Sequence, residues 1–242
     1  MTQKTVLITG ASRGIGKACA LLFANAGYHI FINSNRSTDD LKQVHAEIIA
    51  TGNSCDMVAG NVGDPQQVET MFEQIHRICP GIDVLVNNAG ISHLGLLSDM
   101  SDKEWADILN INLSSAFYCS KAAIPYMVSQ KKGKIINISS IWGQVGASYE
   151  TAYSATKAGL NGLTKALAKE LAPSNIQVNA IACGIIDTAM NANFSPTERE
   201  QLINDIPACR FGTSEEVASL VFDLAEKHPY LTGQIIGLDG GL

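Results

Sequence analysis

With 242 residues, 46% of them hydrophobic and 17% charged, the chain can bury a substantial core at a length that α/β folds keep as one domain. Its net charge of −6 argues against nucleic acid or an anionic membrane as partner, and no stretch approaches the ~20 apolar residues of a membrane-spanning helix or reads as a signal peptide. The six cysteines (Cys19, Cys55, Cys79, Cys119, Cys183, Cys209) form no CxxC pair, so free thiols in a reducing, cytoplasmic setting are expected rather than disulfides or a metal site.

Short β-rich runs alternate with longer helical patterns along the chain. The predicted strands are Thr5–Thr9, His29–Asn33, Ser54–Ala59, Val84–Asn87, Lys134–Ile138, Gln177–Ala182 and Gln234–Leu238. Several are almost wholly apolar, as parallel strands covered on both faces must be. The helix starts carry their own signals: Asp64-Pro65 is a cap before a first-position proline, and Ser101/Glu104, Ser195/Glu198 and Thr213/Glu216 are spaced as capping boxes. One helical run is expected from Asp102 to about Lys131. This alternation predicts a single-domain α/β fold, a Rossmann-type doubly wound parallel sheet of about seven strands with helices on both faces. Ligands of such sheets bind at the carboxyl ends of the strands, near the switch point.

The first strand runs into Thr9-Gly10-Ala11-Ser12-Arg13-Gly14-Ile15-Gly16. Glycines there permit a tight turn and close approach of a pyrophosphate, which the next helix meets with free N–H groups and a partial positive charge. The spacing is GxxxGxG. It resembles the cofactor motif of the short-chain dehydrogenase/reductase family, and further stretches match that family in order: Asn87-Asn88-Ala89-Gly90, Asn112, Ser140, Tyr153-Ser154-Ala155-Thr156-Lys157 and Asp239-Gly240-Gly241. Together they cover essentially the whole chain.

The resemblance implies a nicotinamide cofactor. Asn33-Ser34-Asn35-Arg36 ends the second strand without the acid that would hold the ribose hydroxyls of NAD, and Arg36 and Arg13 could bracket a 2′-phosphate. NADPH is therefore the expected cofactor. By resemblance, Asn61 and Val62 contact the adenine, Asn88, Ala89 and Gly90 border the cofactor with Asn88 at its adenosine end, and Ile186 and Thr188 touch the nicotinamide half. Asn87 is expected to tie neighbouring strands.

Tyr153 and Lys157 lie four apart and share a helix face. Carbonyl reduction needs a proton on oxygen as hydride reaches carbon. Free tyrosine, with a pKa of about 10, is too weak an acid near neutrality, and a neighbouring ammonium would lower that pKa. Ser140 can donate to the developing oxyanion; it is preferred to Ser139 because it fits the family's spacing. In the family, the residue matching Asn112 holds a water that relays protons to the lysine; a bend in the helix is the alternative reading.

On the substrate side, residues 190–209 read as a lid. Cys183-Gly184 stands where the family usually has Pro-Gly, and Cys183 reads as a buried spectator rather than a reactive thiol. The chain resembles bacterial 3-oxoacyl-acyl-carrier-protein reductases, which implies an acyl-carrier protein as partner and a homotetramer in which the Leu231–Gln234 and Asp239–Leu242 segments pack between subunits. Other features, Ile138–Gly143, Gly146–Ser148 and the His93 segment, resemble the reductase of the 5-aminopentanone group on elongation factor P, whose substrate bears an ammonium. Glu150, one turn before Tyr153, is then either an amine-recognition residue or a solvated acid at a helix start. His93 and Trp142 are pocket walls or plain packing.

Overall fold

Each of the seven apolar runs becomes a strand of one parallel sheet in the computed structural model, which describes residues 3–192 and 194–242. The strands are β1 (Thr5–Ile8), β2 (His29–Ile32), β3 (Cys55–Met57), β4 (Val84–Asn87), β5 (Gly133–Ser140), β6 (Ile176–Cys183) and β7 (Ile235–Leu238). Their spatial order is β3-β2-β1-β4-β5-β6-β7. The chain winds outward through β2 and β3, then returns to β4 on the other side of β1. The switch point therefore lies between the carboxyl ends of β1 and β4, where a crevice opens.

The helices are α1 (Gly14–Asn25), α2 (Thr38–Ala50), α3 (Pro65–Ile78), α4 (Asp102–Leu109), α5 (Ser115–Gln130), α6 (Trp142–Val145), α7 (Thr151–Leu171), α8 (Pro196–Asp205) and α9 (Ser214–Glu226). Alternation along β1 shows how they cover the sheet. Val6 and Ile8 face one core with Phe23 of α1, Ile48 of α2 and Val221 of α9. Leu7 faces the other with Ile75 of α3, Met127 of α5 and Leu171 of α7. Each such fully buried side chain contributes roughly 1.5–3 kcal/mol relative to exposure.

The expected starts are formed: Asp64 Oδ1 accepts the Gln66 N–H before Pro65, and all three capping boxes are closed reciprocally. Two expectations need correction. Strands β5 and β6 run eight residues each, past the expected ends, and so carry Ser139, Ser140 and Cys183 within the ladder, where Ser140 pairs with Cys183. The run from Asp102 to Lys131 is not one α-helix; Asn110–Ser114 forms a π-type wide turn between α4 and α5. The buried Asn112 side chain reaches across to Ile91 from inside that turn, and a widened turn accommodates such a reach, as π-bulges at functional sites often do.

Candidate active site

A cavity of about 670 Å³ lies over the carboxyl edge of the sheet. Its first end is made of backbone. Gly10 sits at φ +65°, and a Cβ there would lie 2.9 Å from Ala89 Cα. A Cβ on Gly16 would lie 2.3 Å from the Gly10 carbonyl oxygen. Gly16 thus does not line the cavity but lets α1 close under the turn, while Gly10, Ser12, Arg13, Gly14 and Ile15 do line it. Arg13, the extended residue before α1, makes no side-chain cap, so the first-turn N–H groups of α1 remain available to an anion.

Asn35 and Arg36 continue the wall from β2, followed by Asn61 and Val62 from β3 and Asn88, Ala89 and Gly90 from β4. No ion pair among the described residues engages Arg13 or Arg36. Asn88 does more than border the cavity: its Nδ2 donates to the carbonyls of Thr9 at 2.9 Å and Gly10 at 3.0 Å, bracing the glycine turn. Asn87 ties strands as expected, donating from Nδ2 to Asn137 Oδ1 at 2.8 Å.

The second end is made of side chains. Ser140, Trp142, Glu150, Tyr153 and Lys157 line it, with Ile186 and Thr188 closing it from beyond β6. Lys157 is buried, and its Nζ donates to the Ile138 carbonyl at 2.8 Å and lies 5.4 Å from the Tyr153 ring centroid. Burial lowers its pKa to about 8. The Tyr153 phenol is shifted upward, not downward. Burial is the main cause and the Glu150 carboxylate adds to it, while a hydrogen bond with Ser140 opposes it. The downward shift expected from helix spacing alone is not found, because a phenolate here would be both dehydrated and beside a carboxylate. Burial likewise raises the Glu150 carboxyl, against a hydrogen bond with Trp142, so Glu150 is not a freely solvated helix-start acid. Cys183 lines the cavity, but burial holds its thiol up at about 12, the state of an unreactive spectator.

Asn112 is brought to this end without lining the cavity. Its Oδ1 accepts the Ile91 N–H and its Nδ2 donates to the Ile91 carbonyl, both at 2.8 Å, with Thr156 Oγ1 at 3.3 Å. It clamps the chain leaving Gly90 against α7. His93 is not brought in. Ser92 and Leu94 line the cavity, while His93 between them lies 3.9 Å from Glu104 of α4. Of the two readings of His93, pocket wall or packing, the substrate contact is corrected toward packing, since its ring is turned to α4 and not to the cavity.

The proposed lid, 190–209, includes position 193, which lies outside the described residues. Around it, Met190 and Asn191 line the cavity, and Arg199 of α8 pairs through both guanidinium nitrogens with Asp187, at 3.2 and 2.8 Å. Sequence reasoning missed Ser92 and Leu94 as lining residues, and they carry no local signature, whereas Met190 falls within the expected lid.

The turn and Lys157 fit a dinucleotide: a backbone cradle with no room for side chains, a helix start without a cap, and a buried ammonium with donors to spare. The family model described as short chain dehydrogenase matches residues 4–199. The 3-oxoacyl-[acyl-carrier-protein] reductase FabG of Staphylococcus aureus is 42% identical over 240 residues, covering 99% of this chain and 98% of that protein. The namesake reductase of Thermotoga maritima is also 42% identical, with 99% and 97% covered. The solved 3-oxoacyl-[acyl-carrier protein] reductase of Brucella melitensis superposes with a TM-score of 0.93 at 32% identity, covering all of this chain and 91% of that one. No helix among the described residues is long and apolar enough to cross a membrane. The chain belongs to the short-chain dehydrogenase family and is a nicotinamide-dependent oxidoreductase of alcohol and carbonyl groups.

Proposed function

We propose that this protein is an NADPH-dependent reductase of 3-oxoacyl thioesters carried on an acyl-carrier protein. The observation that carries the reading is the convergence of Ser140, Tyr153 and Lys157 on one cavity whose far end presents Arg13 and Arg36. The two arginines, with Asn35, would receive the 2′-phosphate through charge-assisted hydrogen bonds. Asn61, Val62, Asn88, Ala89 and Gly90 would flank the cofactor, and Ile186 and Thr188 would adjoin its nicotinamide half. The names of the similar reductases supply the substrate class.

When bound, the nicotinamide supplies hydride to the carbonyl carbon. Tyr153 donates its phenolic proton to the carbonyl oxygen. Its raised pKa keeps that proton in place until negative charge develops there. Ser140 Oγ accepts the Trp142 N–H at 3.2 Å, which leaves its own O–H to donate to the same oxygen. Lys157 stabilises the phenolate left behind. Asn112 holds the Ile91 chain in place and supports proton resupply through the second lone pair of its Oδ1.

Residues 1–242 act as one domain, with 190–209 as the lid. The enzyme works in the cytoplasm as a homotetramer, its segments 231–234 and 239–242 packing between subunits; the exposed apolar side chain of Leu242 supports that packing.

A second reading, reduction of the aminopentanone group on elongation factor P, has one observation in its favour. Glu150 is a carboxylate within the cavity, next to Trp142, where it would attract an amine. The similar reductases favour the first reading. Oxidation of NADPH measured side by side with a 3-oxoacyl carrier protein and with the modified factor decides between them. Turnover of the acyl substrate is expected; turnover of the modified factor alone would replace the first reading with the second.

A further inference from the structure

Asn161 follows Tyr153 and Lys157 at the same four-residue interval on α7 and therefore shares their face. It is buried. Asparagine is a poor helix former, and a buried amide without partners costs free energy, so its position calls for compensation. The compensation comes from the segment that presents Ser140. Asn161 Oδ1 accepts the Ser139 hydroxyl at 2.7 Å, and its Nδ2 donates to the Gly143 carbonyl at 3.2 Å. One side chain thus grips both ends of the turn from Ser139 to Gly143, with Ser140, Ile141 and Trp142 between. The far end of that turn rests directly on α7: a Cβ on Gly143 would lie 2.7 Å from the Lys157 carbonyl carbon. The near end is held there too, with Ser139 Oγ 3.5 Å from the Lys157 carbonyl oxygen.

We propose that Asn161 is a positioning residue for carbonyl reduction: by joining Ser139 to Gly143 it sets the Ser140 hydroxyl against the Tyr153–Lys157 face of α7. The inference rests on the roles given above to Ser140 and Tyr153. Asn161 itself meets neither substrate nor cofactor; it does not line the cavity. Its effect passes through Ser140. Loss of the grip should slow chemistry without weakening the cofactor end, which is built from other strands.

The test compares Asn161→Leu, Ser139→Ala and the double variant with the native enzyme, with Tyr153→Phe as control. Read out are kcat, the KM for NADPH, the thermal midpoint and the pH at which the reverse oxidation of alcohol rises. A misplacement of about 1 Å can cost on the order of 100-fold in rate, so a fall in kcat of roughly 10- to 100-fold is expected, with an unchanged KM for NADPH. The double variant should be no slower than the worse single one, because both remove the same grip. The oxidation limb should move to higher pH, because the Ser140 hydrogen bond is the contact that lowers the Tyr153 pKa. Should Asn161→Leu not fold, Ser139→Ala decides alone by the same split. The proposal is overturned if folded variants keep kcat within roughly twofold, or if kcat and NADPH binding decline together in step with the thermal midpoint. Turnover by Tyr153→Phe would instead overturn the assignment of the site on which the proposal stands.

Discussion

The end of the cavity bounded by β1, β2 and β3 and the end bounded by β5, β6 and α7 are made of different material. The first is built around backbone: a turn in which a Cβ on Gly16 would strike the Gly10 carbonyl, an uncapped helix start, and Asn88 bracing the turn, with the Arg13 and Arg36 side chains beside it. The second is side chains drawn from four segments, and their properties depend on one another. Burial and Glu150 raise Tyr153, burial lowers Lys157, and Asn112 and Asn161 fix the chain around them. A site can therefore bind through one set of atoms and react through another. Changes at the first end should remove binding, and changes at the second should alter rate and pH dependence.

Gly16→Ala is the harshest way to break the first end. The added methyl would lie 2.3 Å from the Gly10 oxygen and 2.6 Å from Asn88 Nδ2, so the turn itself must shift. Such overpacking costs about 1–3 kcal/mol or more. A lowered thermal midpoint with NADPH binding lost is expected by calorimetry and fluorescence titration. Arg36→Asp leaves the turn intact and reverses one charge. A charge-assisted hydrogen bond is worth about 1.5–3 kcal/mol, so the NADPH:NADH ratio of kcat/KM should fall about 10- to 100-fold; an unchanged ratio would remove Arg36 from 2′-phosphate recognition.

At the second end the expected effects are subtler. Glu150→Gln removes a carboxylate that raises Tyr153, so the Tyr153 pKa falls and oxidation of alcohol, in which the proposed mechanism has Tyr153 accept a proton, should begin at lower pH. A rise that moved to higher pH would contradict the sign of this interaction. His93→Ala should do least. Its contact with the exposed Glu104 spans 3.9 Å, and pairs of this kind contribute about 0–1 kcal/mol. Kinetics close to the native values are expected, and a large rise in substrate KM would return His93 to the pocket.

The contrast between the two ends also explains what could be read from the sequence. The glycine turn, the strands and the three capping boxes are local patterns, because the geometry they require is satisfied within a few residues. The seven strands and their helical alternation lead to the observed sheet for the same reason. The second end is less legible. The YxxxK interval places Tyr153 beside Lys157, but the direction of the Tyr153 shift depends on burial, which the interval does not contain. The orientation of His93 depends on how a loop lies against α4. The wide turn at Asn110–Ser114 interrupts a pattern that reads as one helix, since Asn112 is drawn toward Ile91, distant in sequence. Asn161 offered a signal in the repeat of four after Lys157, yet its meaning requires the approach of Ser139 and Gly143 from another element.

The most direct test of this division is Tyr153→Phe, a change of one hydroxyl at the second end. NADPH binding and turnover of a 3-oxoacyl carrier protein should be measured on the same preparation. NADPH affinity is expected to stay close to that of the native enzyme, with turnover lowered by about 100- to 10,000-fold, the contribution of a general acid. Turnover near the native rate would contradict this division, and so would loss of NADPH binding in parallel with loss of rate.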